Sequence, residues 1–456
     1  MKKASFLSAA FVIVLVLGPL MAKAQTGLFM TYGGDGVCSN NHNDSLAVRA
    51  GIYDPGYCTF DKTGNFYFSS SLGNVIRKID TAGIITTIAG TGTAGFSGDS
   101  GLAINAELRE PNGLAFDTLG NLYFADGYYN RIRKIDTGGI ITTFAGTGIG
   151  SYGGDNGPAL LANLYTPNGI CFDKFGNLYI ADANNIRIRK INATGIITTV
   201  AGTGVGGFSG DNGLADTSML SEPVGVATDD SGNLYIADVG ITSNRVRKVN
   251  SSGIITTVAG NGIYTYTGDN IPATTAQISP NYITFDRSGL LYISDRYNFR
   301  IFKIDSSGVI HSLVGNGVQG FGGDNGLADT SEIDPGGSAF DFCNNLYICD
   351  VGFCRVQKVT FNPTCSPADT ITSVNKIVPN SFINIYPNPA YNTLTISSPN
   401  KINNVAIMNM LGQTLYSREC KGEKIEVDVS GLASGVYFVQ ITNDSGIKEV
   451  KKIVKE

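Results

Sequence analysis

The stretch PNGLAFDTLGNLYFADGYYNRIRKIDTGGIITTFAGTGIGSYGGDNGPALLANLYT, Pro111 to Thr166, decides the fold. Four short runs rich in apolar and β-branched residues, GLAFD, NLYFAD, RIRKID and GIITTFAG, are separated by TLGN, GYYN and TGG. Those separators carry turn chemistry, and a long glycine-rich segment follows the fourth run. The unit recurs. A proline opens each copy at Pro55, Pro111, Pro167, Pro223, Pro280 and Pro335, in steps of 55 to 57 residues. Four antiparallel strands repeated six times predict a β-propeller.

Closure separates a propeller from an open solenoid. The last unit stops after its third run, RVQKV (Arg355 to Val359), whereas the N-terminal TGLFMTYGGDG (Thr26 to Gly36) loosely copies the portion it lacks. The first strand is therefore expected to complete the last blade and close the ring. Glycine is abundant (58 of 456 residues), only 16% of residues are charged, and the composition is all-β.

The pattern of proline followed by NGLAFD, GNLYFAD, NRIRKID, GIITTFAGTG and GGDNG resembles the NHL repeat family. The resemblance runs over about residues 26–360 and implies a six-bladed propeller.

Both ends carry different signals. Residues 1–24 read as a signal peptide, with Lys2 and Lys3, an apolar stretch from Phe6 to Leu20, and Ala22-Lys23-Ala24 as the cleavage site. No later segment is expected to span a membrane. Removal of those three lysines takes the formal charge from −5 to −8, which argues against nucleic acid as a partner. The propeller is placed at 25–365 and a polar linker at 366–380. Residues 381–456 show a second pattern of short alternating strands, predicting a small Ig-like β-sandwich. Tyr386-Pro387-Asn388-Pro389, Gly435-Val436-Tyr437 and a basic end at Lys451 to Lys455 make this segment similar to the C-terminal sorting domains of type IX secretion. That resemblance implies recognition by secretion machinery and display at, or release from, the outer surface of a Gram-negative bacterium.

Asp126/Arg131 recurs as Asp182/Arg187, Asp238/Arg245, Asp295/Arg300 and Asp350/Arg355, and in the first unit both members are lost together, to Ser70 and Val75. Joint loss predicts a scaffold ion pair, because a stranded buried charge is costly. The loop aspartates Asp99, Asp155, Asp211, Asp269 and Asp324 are expected to cap their own loops. Their loops lack the basic residue of a phosphate cradle and the acid pattern of an EF-hand. No cofactor is expected, with Ca²⁺ the one ion left open. Eight cysteines in an exported chain suggest disulfides, with Cys349–Cys354 and Cys343–Cys365 as one of three pairings within the C-terminal cluster.

Strand parity puts the long loops and the second-to-third turns on one face, where binding residues are expected. Around the channel mouth stand Asp54, Glu110, Glu222 and Asp334 before the prolines, with Asn112, Asn168 and Asn281 after them; these oxygens could meet a cation or polar hydroxyls. Tyr128, Tyr129, Tyr297 and Phe299 in the turns offer aromatic surface for a protein or glycan. The expected function is a non-catalytic binding module. The alternative is a calcium-dependent lactonase- or esterase-like enzyme at the mouth, or a lyase. The lyase version is disfavoured because His42 and His311, the only histidines, match no motif repeated across blades.

Overall fold

The computed structural model describes residues 27–41, 43–361, 365, 384–387, 389–409, 414–443 and 448–455. The leader, the linker, His42 and Asn388 lie outside these residues. The chain divides into two compact units, Met1–Thr364 and Cys365–Glu456.

The first unit is a six-bladed propeller. Blade 2 is typical: strands Pro111–Phe116, Leu122–Asp126, Arg131–Ile135 and Ile141–Ala145 run antiparallel from the axis outward. The first strands of neighbouring blades pack side by side, that of the sixth against that of the first. Closure is as expected: Leu28–Gly33 pairs with Arg355–Thr360 and supplies the fourth strand of blade 6. A Cys38–Cys354 disulfide, spanning 316 residues, fastens the same seam.

An apolar cluster fills each of the six blade interfaces. Second strands such as Leu122–Asp126 are buried on both faces, between adjacent blades, and so read as continuous apolar runs. The FDxxGNLY pattern is a turn device. Asp117 accepts the backbone N–H groups of Leu119 and Asn121 through Oδ1, and the Asn121 amide and Tyr123 hydroxyl through Oδ2. Asp61, Asp229 and Asp341 repeat the arrangement.

Of the two expected pairs, Cys349–Cys354 does not form. Cys354 bonds Cys38 across the closing seam, and Cys349 is a buried free thiol. Cys343 and Cys365 are both disulfide-bonded.

In the second unit, five strands form one sharply bent sheet. The long strand Thr393–Met408 pairs with Thr414–Asp428 along one edge, and on the other with Asn384–Tyr386 and then Gly435–Asn443. Residues from its two halves, Leu394 and Ile396 with Val405 and Ile407, share one core with Val427, Val439 and Ile453. Tyr437 is buried there, while Tyr386 is about half exposed. No helix among the described residues is long and apolar enough to cross a membrane.

Candidate functional site

The repeated charges are scaffold, but not with the expected partners. Asp126 and Arg131 face each other across the second and third strands, which explains their constant spacing. The Arg131 guanidinium turns away. It donates to the carbonyls of Tyr129 and Thr147 and stacks 4.0 Å from the Phe96 ring. The cation that meets Asp126 is Arg133, two residues on, at 3.3 Å, and both side chains are fully buried. Arg133 also reaches Asp99 at 2.8 Å. Blade 3 repeats this with Arg189 between Asp182 and Asp155. The loop aspartates therefore do not cap their own loops; they staple each loop across the next blade, Asp99 and Asp211 also accepting from the hydroxyls of Thr143 and Thr257. The buried aspartates pin the chain ahead of the inner strands, Asp126 accepting from the Arg109 N–H and Asp182 from the Tyr165 N–H.

Blades 5 and 6 keep the acids but place Phe302 and Gln357 where the arginine stands. Burial then pushes Asp295 and Asp350 up to about 7, against about 6 for Asp126 beside Arg133.

At the axis, the third residue of each inner strand is glycine in four blades and Tyr57 or Tyr282 in two. A Cβ on Gly113 would lie 2.5 Å from the Asn168 carbonyl oxygen, and one on Gly169 2.7 Å from that of Val224, so only glycine admits this approach. The tyrosines occupy the remaining space. The Tyr57 hydroxyl reaches across to the Val224 carbonyl at 2.8 Å, and its ring packs edge-on against Tyr282 at 4.6 Å. Both help to line a central cavity of about 300 Å³. The switch from glycine to tyrosine was visible in the repeat, but not that one side chain spans the channel.

The mouth residues share the long-loop face, yet they serve local contacts. Asp334 is 2% exposed and clamped by Arg296 (Nε to Oδ1, 2.9 Å) and the Gln319 amide (3.1 Å). Asp54 accepts the Leu72 N–H, Asn112 the Ser71 hydroxyl, and Asn281 the Arg296 N–H. Glu110 lies 4.0 Å from Arg109 at the surface, Glu222 is exposed, and Asn168 is half-buried. Among the described residues no three His, Cys, Asp or Glu side chains converge as a metal site. Arg296 was not singled out in the sequence; its signal is a large cation where other blades have Gly127, Ala183 or Val351.

Of the turn aromatics, Tyr128 and Tyr297 are exposed, Tyr128 beneath the Arg109 guanidinium and Tyr297 edge-on to Tyr264. Tyr129 and Phe299 are half-buried, and Tyr129 packs on Phe96. A wider surface emerges with them. The same loop position carries an exposed aliphatic residue in Val37, Ile149, Val205, Ile263 and Val318, and the turns add Leu72 and Ile241. A cavity of about 890 Å³ opens on the opposite, short-turn face, between Lys62, Thr118, Lys174 and Asp230 over Phe116 and Phe172.

Residues 92–151 and 148–208 match the teneurin NHL domain, and residues 384–456 match the secretion system C-terminal sorting domain. Human teneurin-4 is 32% identical over 220 residues, covering 42% of this chain and 8% of its own length. Human teneurin-1 is 29% identical over 304 residues, covering 60% and 11%. The matched stretch thus spans about a tenth of the length of these relatives. A Bacteroides thetaiotaomicron protein of unknown function superposes with a TM-score of 0.54 at 16% identity, covering 73% of this chain and 75% of that one. An auxiliary nutrient binding protein from the same organism gives 0.53 at 15%, with the same coverage. Both show the fold alone. Joined to the closed six-bladed ring, these matches identify the chain as an NHL-repeat β-propeller that carries a type IX C-terminal sorting domain for export to the cell surface or beyond.

Proposed function

We propose that the propeller is a recognition module whose long-loop face docks a protein surface, with the sorting domain as its address. The observation that carries this reading is the periodic apolar surface. Ile149 is 62% exposed and Val205 58%, at matching loop positions, while Ile241 (96%) and Tyr297 (60%) stand in the turns. Large exposed apolar patches commonly mark interaction sites. With Tyr57 across the channel and Asp334 already clamped, a broad contact suits this face better than a small-molecule pocket. The Tyr264–Tyr297 pair offers a place for a sugar ring, which keeps a glycan as the second ligand class.

A panel of surface proteins and glycans should be tested against the full mature chain and two variants. Ile149→Glu with Tyr297→Ala should abolish binding, whereas Leu119→Glu with Phe175→Glu on the short-turn face should leave it intact. The opposite pattern sinks the proposal and moves the site to the short-turn cavity. Hydrolysis of an ester or lactone panel that depends on Asn112 and Asn168 would establish the enzymatic alternative.

A further inference from the structure

Blade 1 departs from its sisters where they keep their buried ion pairs. The guanidinium groups of Arg133, Arg189 and Arg247 are fully buried, and each meets a loop carboxylate: Asp99, Asp155 and Asp211. A second, buried carboxylate stands by in each case, Asp126, Asp182 and Asp238. Blades 5 and 6 keep the acids and lose this arginine. Blade 1 does the reverse.

Arg77 holds the matching register, paired with Phe68 as Arg133 is with Phe124, and is wholly buried. Neither acid remains. Ser70 stands where blade 2 has Asp126, and Asn43 where it has Asp99. Nor do the replacements turn to the guanidinium. The Ser70 hydroxyl is engaged with Asn40 and the Tyr53 carbonyl, and Asn43 Oδ1 accepts from the N–H and hydroxyl of Thr87. Nε, Nη1 and Nη2 of Arg77 all lack a hydrogen-bond partner among the described residues.

Burial pulls Arg77 down to about 10, which leaves it charged at neutral pH. An uncompensated buried cation is among the costliest features a fold can carry. Four positions carry smaller side chains than in blade 2, Ser70 for Asp126, Asn40 for Phe96, Gly73 for Tyr129 and Val75 for Arg131, and the Asn40 amide folds over Gly73 to donate to its carbonyl rather than stacking near the guanidinium as Phe96 does.

We propose that blade 1 binds a small monovalent inorganic anion of chloride size against Arg77, in the place that two carboxylates fill in blades 2 to 4. Size and charge follow from the site. Arg77 is closed to solvent, and one guanidinium balances one negative charge. The anion would secure the blade next to the ring-closing seam, and so the fold rather than the recognition face.

The test is thermal unfolding of the full mature chain in sodium chloride against sodium isethionate, whose anion is too large, at equal ionic strength. The propeller midpoint should rise saturably with chloride or bromide, by about 4 °C at a hundredfold excess over Kd. In Ser70→Asp, which restores the sister-blade acid, the chloride effect should vanish and the midpoint in isethionate should rise. Equal midpoints in the two salts for the natural chain, or a chloride effect that survives in Ser70→Asp, would overturn the proposal. A bromide-soaked crystal gives a second readout, since anomalous signal beside Arg77 is required.

Discussion

Acidification from about pH 8 to about pH 5 should stabilise this propeller, because blades 5 and 6 bury carboxyls without their arginine. Asp295 and Asp350 are fully buried and are pushed up to about 7 from an ordinary 3.8. Each therefore binds its proton more tightly folded than unfolded. Stability rises as pH falls through the native value, and the gain is complete only below the unfolded one. Over the stated interval each carboxyl contributes roughly 2–3 kcal/mol, together roughly 5 kcal/mol. Asp126 and Asp238, raised to about 6, act in the same direction. The turn aspartates Asp61, Asp117 and Asp229 are shifted down by hydrogen bonds from their turns, so their stabilisation is lost only below about pH 4 and does not oppose the trend. For a propeller of about 340 residues, an unfolding entropy near 2.1 cal/mol/K per residue converts roughly 5 kcal/mol to about 7 °C. The assay is the thermal midpoint by circular dichroism at constant ionic strength. Asp295→Asn with Asp350→Asn should remove most of the slope, and Gln357→Arg, which copies Arg133, should reduce it. A midpoint that is flat or higher at pH 8, or a slope unchanged in the double Asn variant, would refute the reasoning.

Opening the Cys38–Cys354 bridge with Cys38→Ser and Cys354→Ser should cost about 5–6 kcal/mol in chemical denaturation, since it closes a loop of 316 residues. Tyr57→Phe leaves the Val224 carbonyl without its cross-channel donor and should cost about 1–2 kcal/mol by the same measurement. Ile186 is a β-branched residue held at φ +54° where blade 2 has Asn130, so Ile186→Asn should gain about 1 kcal/mol, read as a higher midpoint. Arg189→Met strands Asp182 and should cost about 3–5 kcal/mol at neutral pH, and less as the pH falls, because burial already raises the Asp182 carboxyl and favours its proton.

Sequence alone determined the repeat, its strand order and its closure, because these depend on local periodicity and on chain ends that copy one another. Glycine in turns, alternating apolar runs and a proline every 55 to 57 residues are near-neighbour signals. The C-terminal motifs were legible for the same reason. What the tertiary structure decided was which charges meet. Asp126 and Arg131 are register partners, but Arg131 and Arg133, two residues apart, lie on the same face of the strand over one Phe96 ring, and only the tertiary packing selects Arg133 to meet Asp126. The loop aspartates likewise find partners a blade away, a distance no local pattern encodes. The channel mouth shows the same limit. Its residues share one face, yet whether they converge depends on what fills the axis, and there one tyrosine crosses from blade 1 to blade 4.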